Sequence, residues 1–181
     1  MLRVRPQVLL VPLGDLDPRV LHPVAANVIE VFDLFAEIGP TWPLPEAAFD
    51  PARGQYRADV VLEEVKRAFP DPARVVGVAA ADLYTPGLNF VFRLAEKTGR
   101  AAVVAVERLF TPEGRRFFER LMKEVNHELG HTFGLDHCTA PRCVMRFSNS
   151  VAEVDQKSRF FCPRCKEALV AALKALSAPP G

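Results

Sequence analysis

The stretch HELGHTFGLDHC, residues 127–138, determines how this chain is interpreted. Side chains four positions apart share one face of a helix, so His127 and His131 can present two imidazoles to a single metal ion. Gly134 follows within one turn and permits the left-handed backbone that ends a helix. His137 can then approach from outside the helix as a third ligand. Three protein nitrogens leave one coordination position for water, which is typical of a catalytic zinc rather than a structural one.

Glu128 follows the first of these histidines and projects beside it, where a carboxylate can hold water rather than the ion itself. A His-Glu-x-x-His pattern also arises by chance, and a single histidine on an apolar helix is commonly an ordinary core residue. The added glycine and the third histidine make coincidence much rarer. The extended pattern therefore predicts a zinc site with a carboxylate at its side.

Four cysteines form a second cluster of metal-ligand types. Cys138 and Cys143 are followed, after 18 further residues, by Cys162 and Cys165 in a CPRC pair. Two spaced pairs match a tetrahedral four-cysteine zinc site. The alternatives are two disulfides, which need an oxidising compartment, or a thioredoxin-like redox pair, which normally follows a strand rather than a polar run. Because Cys138 directly follows a predicted histidine ligand, a second zinc would fix the loop that presents that ligand.

Composition limits the classes of function. The 181 residues suffice for a hydrophobic core without disulfides, and 49% hydrophobic with 25% charged residues is typical of a soluble globular protein. The 23 basic and 22 acidic side chains give a net charge of +1, which argues against a nucleic-acid binder. Pro12 ends the first apolar run before it reaches the length of a signal-peptide core. We expect a cytoplasmic monomer with neither a nucleic-acid nor a membrane partner.

Apolar periodicity predicts strands and helices that alternate in the first half of the chain. Strands are predicted over 7–11, 74–80, 89–95 and 101–106, the last two as an antiparallel hairpin. Helices are predicted over 23–36, 58–69, 113–132 and 163–177. Arg115, Arg116 and Arg120 are assigned to the solvated face of the third helix. The predicted fold class is α+β (mixed α/β), with residues 1–181 as one domain.

Taken together, the two clusters resemble those of the archaemetzincins, a branch of the metzincin zinc metallopeptidases with a second, four-cysteine zinc. HELGHTFGLDHC is followed by CVM at 143–145 and CPRC at 162–165, as in that family. Three upstream stretches are also similar to the family: QYRADVVLEEV (55–65), AADLYTPGLNFVF (80–92) and VVAVERLF (103–110). The resemblance therefore covers most of the chain between residues 55 and 165.

This resemblance implies a role for each residue of the two clusters. His127, His131 and His137 would ligate a catalytic zinc, Glu128 would be the general base of peptide-bond hydrolysis, and Met145 would form the turn beneath the metal. Cys138, Cys143, Cys162 and Cys165 would hold a structural zinc, which makes two Zn²⁺ per chain. The implied fold is a compact metzincin-like domain with a twisted mixed sheet, a backing helix, an active-site helix and a C-terminal helix. A peptide or protein substrate would pair with an exposed edge strand, for which 89–95 is the candidate.

Two other functions stay open at this point. A non-catalytic zinc protein could bind a peptide or protein partner in a blocked cleft without hydrolysing it, although the presence of Glu128 counts against this. A zinc-ribbon-like nucleic-acid module could be built on the cysteines, but the near-neutral charge counts against that.

Tyr56 and Tyr84 both precede the predicted active-site helix. The tyrosine that assists catalysis after the methionine turn in some metzincins is therefore absent.

Overall fold

A five-stranded mixed sheet organises the chain, of which the computed structural model describes residues 7–177. In spatial order its strands are β2 (Ala36–Ile38), β1 (Val8–Leu13), β5 (Arg74–Ala79), β8 (Ala101–Ala105) and β7 (Arg93–Ala95). The first four strands run parallel, whereas β7 pairs antiparallel with β8. A smaller sheet joins β3 (Phe49–Asp50), β4 (Gln55–Arg57) and β6 (Leu83–Tyr84). The mixed α/β fold predicted from the sequence is confirmed, and β7 lies at the edge of the large sheet.

Helices cover both faces of the large sheet, which explains why its central strands read as continuous apolar runs. On one face, α1 (Leu21–Phe32) and α3 (Gly114–Thr132) pack on side chains such as Leu10 and Val76. On the other face, α2 (Ala58–Ala68) packs on their neighbours in sequence, such as Leu9. Among residues 7–177, no helix is both long and apolar enough to cross a membrane.

Helix α3 ends in the way that the glycine in HELGHTFGLDHC predicts. Gly134 has a φ of 90°, in the left-handed region that favours glycine. The Leu135 N–H then bonds the carbonyl of Gly130 at 3.0 Å and closes the end of the helix. The chain therefore reverses direction, and His137 returns toward the helix that it has just left.

The boundaries of two elements were predicted wrongly. The first helix was predicted over 23–36, but α1 ends at Phe32 because Asp33 takes a left-handed φ of 55° and β2 follows. The predicted strand 89–95 is a strand only in β7. Leu88 and Asn89 instead give their carbonyls to the Arg53 side chain, at 2.8 and 3.1 Å, so the preceding segment is not held by a strand ladder.

The C-terminal third contains one unpredicted helix, α4 (Val151–Gln156), before the predicted α5 (Pro163–Ser177). Helix α4 packs on α3 and brings Asp155 to Arg120, whose Nη2 and Nε lie 2.7 and 2.8 Å from its carboxylate. Arg120 is therefore buried, and its assignment to a solvated face was wrong, whereas Arg115 and Arg116 are exposed as expected.

Met145 packs directly against the backbone of α3, and this contact allows a test of the packing. A Cβ placed on Gly130 would lie 2.5 Å from Sδ of Met145, a side chain that is completely buried. We expect Gly130→Ala to lower the free energy of unfolding by ~1–3 kcal/mol through overpacking. Gly114→Ala, on the same helix with open space around it, is the control and should cost nothing. Equal effects in chemical denaturation would contradict this account.

Candidate active site

Three histidines converge where α3 meets the returning chain. The Nε2 atoms of His127 and His131 lie 3.0 Å apart. The ring of His137 lies 5.3 and 4.9 Å from the rings of His127 and His131, measured between centroids. One nitrogen from each ring falls within 4.8 Å of the other two. The structure thus brings together the three side chains that the sequence pattern selects.

Backbone carbonyls fix the protonation of the two helical histidines. Nδ1 of His127 lies 2.8 Å from the Val144 carbonyl, and Nδ1 of His131 lies 2.8 Å from the Leu135 carbonyl. A carbonyl oxygen only accepts, so each Nδ1 carries the proton and each Nε2 presents a lone pair. Two lone pairs facing each other at 3.0 Å repel unless a cation lies between them. Neutral imidazole nitrogens arranged in this way fit Zn²⁺.

Burial keeps these imidazoles in the form that a metal requires. Desolvation lowers the pKa of all three rings, and for His127 well below the usual value, with nearby cations contributing further. Metal binding needs the deprotonated, neutral ring. The site therefore does not have to expel protons from charged imidazoles before an ion binds.

A buried group of four charges, here called the charged quartet, lies beside His127 and consists of Arg93, Glu124, Glu128 and Lys157. Nε of Arg93 lies 2.7 Å from Oε1 of Glu128, and its Nη1 lies 2.8 Å from Oε2 of Glu124. Nζ of Lys157 lies 3.4 Å from Oε1 of Glu124. No side chain of the quartet is more than 8% exposed. Two cations and two anions sum to zero, which makes this burial tolerable.

Sequence reasoning identified only Glu128 of this quartet. Glu124 precedes it by one helical turn, so the two carboxylates share the buried face of α3, and such a pair requires cations. That spacing was the available signal. The spacing does not identify the basic residues that pair with these carboxylates. Arg93 lies in β7 and Lys157 lies between α4 and α5, so both are distant from α3 in sequence.

The surrounding charges and the burial of Glu128 change the pKa of its carboxyl group. Burial raises its pKa to about 7, with Glu124 adding to the rise while Arg93 and Lys157 oppose it. A bound dication nearby would lower this pKa again. A carboxyl group poised near neutrality can both accept and release a proton at the pH of a cell.

A cleft of about 500 Å³ opens onto the histidines and Glu128. Its lining includes β7, the segment before it and residues 147–149. Leu88 and Phe147 lie at its rim and are 55% and 50% exposed. The cleft is therefore open to solvent, with apolar side chains beside the converging nitrogens.

The four cysteines converge as well. Their sulfurs all lie within 4.8 Å of one another, and all four are free thiols, with Cys138 and Cys162 separated by 3.8 Å between sulfurs. A tetrahedron with Zn–S bonds of ~2.3 Å has edges of ~3.8 Å, whereas a disulfide needs ~2.05 Å. Burial raises the pKa of the Cys138 thiol, but hydrogen bonds from the Ala140 N–H and Arg164 outweigh it and bring the pKa to about 7. This donor set fits zinc.

Residues 143–145, here called the bridging segment, connect the two clusters. Cys143 belongs to the cysteine cluster, and the next carbonyl, from Val144, holds the His127 ring. The Met145 carbonyl accepts the Cys138 N–H at 3.0 Å, beside His137. A displacement of the cysteine cluster would thus reach two of the three histidines through the main chain.

Comparison with known proteins agrees with this geometry. Residues 46–171 match the model of peptidase family M54. The chain belongs to this family. It is 51% identical over 131 residues to the archaemetzincin of Methanopyrus kandleri, a span that covers 72% of this chain and 75% of that protein. It is 36% identical over 170 residues to the archaemetzincin of Natronomonas pharaonis, covering 89% and 98% of the two chains.

Crystal structures of M54 relatives have the same fold. The M. kandleri archaemetzincin superposes with a TM-score of 0.86 at 41% identity, over 93% of this chain and 96% of that one. The Archaeoglobus fulgidus archaemetzincin, crystallised with malonate, gives 0.81 at 34% identity, over 89% and 99%. The predicted relationship to the archaemetzincins is confirmed. The chain is a zinc metallopeptidase, and so a hydrolase.

Removing one member of the charged quartet should be costly, because its partner stays buried. Lys157→Met leaves Glu124 and Glu128 facing Arg93 alone, and we expect a loss of ~3–5 kcal/mol in the free energy of unfolding. The double variant Glu124→Gln/Lys157→Met removes one charge of each sign and should lose less. Both are measured by chemical denaturation at the same saturating zinc concentration. A double variant that is no more stable than Lys157→Met would contradict the pairing.

Proposed function

We propose that the chain hydrolyses peptide bonds in the cleft between β7 and α3, with His127, His131 and His137 as ligands of a catalytic zinc and Glu128 as the general base. The observation that carries this proposal is the pair of unprotonated Nε2 atoms 3.0 Å apart, beside a buried carboxylate in an open cleft. When bound there, zinc would polarise the scissile carbonyl and ease the ionisation of water.

The chain's own residues then orient the reactants and move protons. The Val144 and Leu135 carbonyls hold the two helical imidazoles with Nε2 toward the ion. The Glu128 carboxylate takes a proton from the attacking water and later gives it to the leaving nitrogen. Arg93 holds Oε1 of that carboxylate at 2.7 Å, so the base is fixed before the substrate arrives.

Edge strand β7 is the proposed docking site for the substrate backbone. The Ala105 N–H bonds the Phe92 carbonyl, and the Glu96 N–H bonds the Ala101 carbonyl. Because antiparallel pairing alternates, the main-chain groups of Arg93 and Ala95 point away from β8. An extended peptide can pair with these groups by strand addition. The apolar rim at Leu88 and Phe147 favours substrates with apolar side chains next to the scissile bond.

The second zinc is proposed to be structural, held by Cys138, Cys143, Cys162 and Cys165, which gives two Zn²⁺ per chain. Four sulfur ligands leave no position for a substrate. Met145 would form the methionine turn under the catalytic metal, where it packs on Gly130.

In this proposal residues 1–181 form one metallopeptidase domain, with the catalytic motif at 127–137 and the cysteine segment at 138–165. It acts on peptides or proteins as a cytoplasmic monomer of the metzincin type, without a nucleic-acid or membrane partner. The competing function is peptide binding without turnover in the same cleft.

The general base is tested by Glu128→Ala. We expect kcat for a peptide substrate to fall by ~10²–10⁴-fold, because proton transfer is lost while all seven metal ligands remain. Zinc content measured by elemental analysis should stay at two per chain. The control is Glu119→Ala on the same helix, outside the cleft. Undiminished turnover in Glu128→Ala would contradict the mechanism, and a wild type that binds peptides but hydrolyses none would favour the competing function.

The bracing of one site by the other is tested by Cys162→Ser. Losing a thiolate should release the structural zinc, lower the melting temperature and free the loop that carries His137. Through the bridging segment, the affinity of the remaining site for zinc should fall by ~10–100-fold, as for other residues that orient metal ligands. Val170→Ala, exposed on helix α5, which begins directly after Cys162, is the control. Unchanged zinc affinity in a chelator competition would show that the two sites are independent.

A further inference from the structure

We propose that Arg93 is a further catalytic residue, whose Nη2 donates a hydrogen bond to the oxygen of the scissile carbonyl as negative charge develops there. This inference rests on the proposed function, because it assigns a role within the same cleft. It concerns a side chain that neither histidine spacing nor cysteine spacing selects.

The three guanidinium nitrogens of Arg93 face three different groups. Nε and Nη1 face the carboxylates of Glu128 and Glu124, at 2.7 and 2.8 Å. These two contacts have the distances of ion pairs, but Nε and the Glu124 oxygens lack the angles of directed hydrogen bonds. Nη2 faces Nε2 of His127 at 3.3 Å with hydrogen-bond geometry. The best-directed donor of the guanidinium therefore points at the ligand nitrogens.

That contact cannot persist when a metal ion is bound. Nε2 of His127 has a single lone pair, because Nδ1 carries the ring proton. The lone pair serves either Nη2 or the ion. Binding of the ion therefore frees an N–H donor close to the point where the ligand nitrogens converge. The substrate carbonyl has to reach that same point.

The donor is held in advance, as stabilisation of a developing oxyanion requires. The carboxylates of Glu124 and Glu128 lie at ion-pair distance from two nitrogens of the guanidinium, and the side chain is only 8% exposed. A hydrogen bond made there is screened by little water and needs little reorganisation. Lys157 completes the neutral quartet, so Arg93 does not act as an unpaired cation that attracts acidic substrates.

Other polar side chains of the cleft are less suited to this role. Lys97 is also cationic, but its ammonium group pairs with Asp136 and its side chain is 57% exposed. Ser148 has a buried hydroxyl without a hydrogen-bond partner in the cleft, which makes it the competing donor. No contact joins that hydroxyl to a ligand histidine, whereas Arg93 makes one.

The assigned step is a hydrolysis in which all atoms balance. Water oxygen bonds to the carbonyl carbon, the π pair moves to the carbonyl oxygen, and a water proton passes to Glu128. The C–N bond then breaks as the π pair returns, and Glu128 gives the proton to the leaving nitrogen. The products are a carboxylic acid and an amine. Arg93 keeps all its protons and stabilises only the charge on oxygen.

The experiment compares Glu124→Gln with Arg93→Met/Glu124→Gln, both zinc-loaded and full-length. The double variant keeps one buried cation, Lys157, with one buried anion, Glu128, so it removes the donor without leaving an excess charge. We expect kcat of the double variant to be ~10²–10³-fold below that of Glu124→Gln, with little change in KM. Arg93→Lys should recover part of the loss relative to Arg93→Met. Arg115→Met, which removes an exposed cation outside the cleft, should leave kcat unchanged.

Two readouts do not depend on turnover. A phosphinic peptide, which mimics the tetrahedral oxyanion, should lose affinity in step with kcat/KM when Arg93 is replaced. The affinity for zinc should not fall, because Nη2 competes with the ion for His127. Equal phosphinic affinity with and without Arg93, or unchanged or higher kcat, would overturn the inference, as would a loss that follows Ser148→Ala instead. If the wild type hydrolyses nothing, the proposed function fails and the catalytic role of Arg93 fails with it, whereas hydrolysis by the wild type with equal phosphinic affinity in the Arg93 variants overturns the role of Arg93 alone.

Discussion

Two imidazole nitrogens 3.0 Å apart, each with its lone pair toward the other, are the constraint on which the rest of this structure depends. The arrangement is unfavourable without a cation, and several separate features of the fold hold the two rings in it. Helical spacing places the rings on one face of α3. The carbonyls of Val144 and Leu135 then fix both tautomers. The Val144 carbonyl follows a residue of the cysteine cluster, and the Leu135 carbonyl follows the Gly134 turn, so both are fixed by a second structural feature.

Burial of the site creates a second requirement. A base beside a metal must be shielded from bulk water to act strongly, yet a buried carboxylate must be compensated. The charged quartet meets both needs, since Glu128 is held at 2.7 Å by Arg93 and the surplus charge of Glu124 is balanced by Lys157. The same arginine carries the main-chain groups proposed to pair with substrate. Edge strand, proposed base and proposed donor are thereby linked through one residue.

The sequence predicted those features that depend on local geometry. The histidine and cysteine clusters follow from helical periodicity, a glycine that ends the helix, and two cysteine pairs, all within a span of 39 residues. Long apolar runs located the central strands and helices. Short elements escaped, because two or three residues carry no period. Helix α4 is the exception with a usable signal: Ser150 caps it and accepts a bond from the Glu153 N–H, the pattern of a capping box.

The remaining errors involve partners distant in sequence. Arg120 reads as a solvated residue until α4 brings Asp155 beside it, and Arg93 reads as one charge within an apolar strand until α3 presents two carboxylates.

Long-range proton–nitrogen correlation NMR of the histidine rings in the zinc-loaded protein tests the central claim most directly. We predict a proton on Nδ1 and a metal-bound Nε2 in both His127 and His131. A proton on Nε2 of either ring would contradict this account of the metal site.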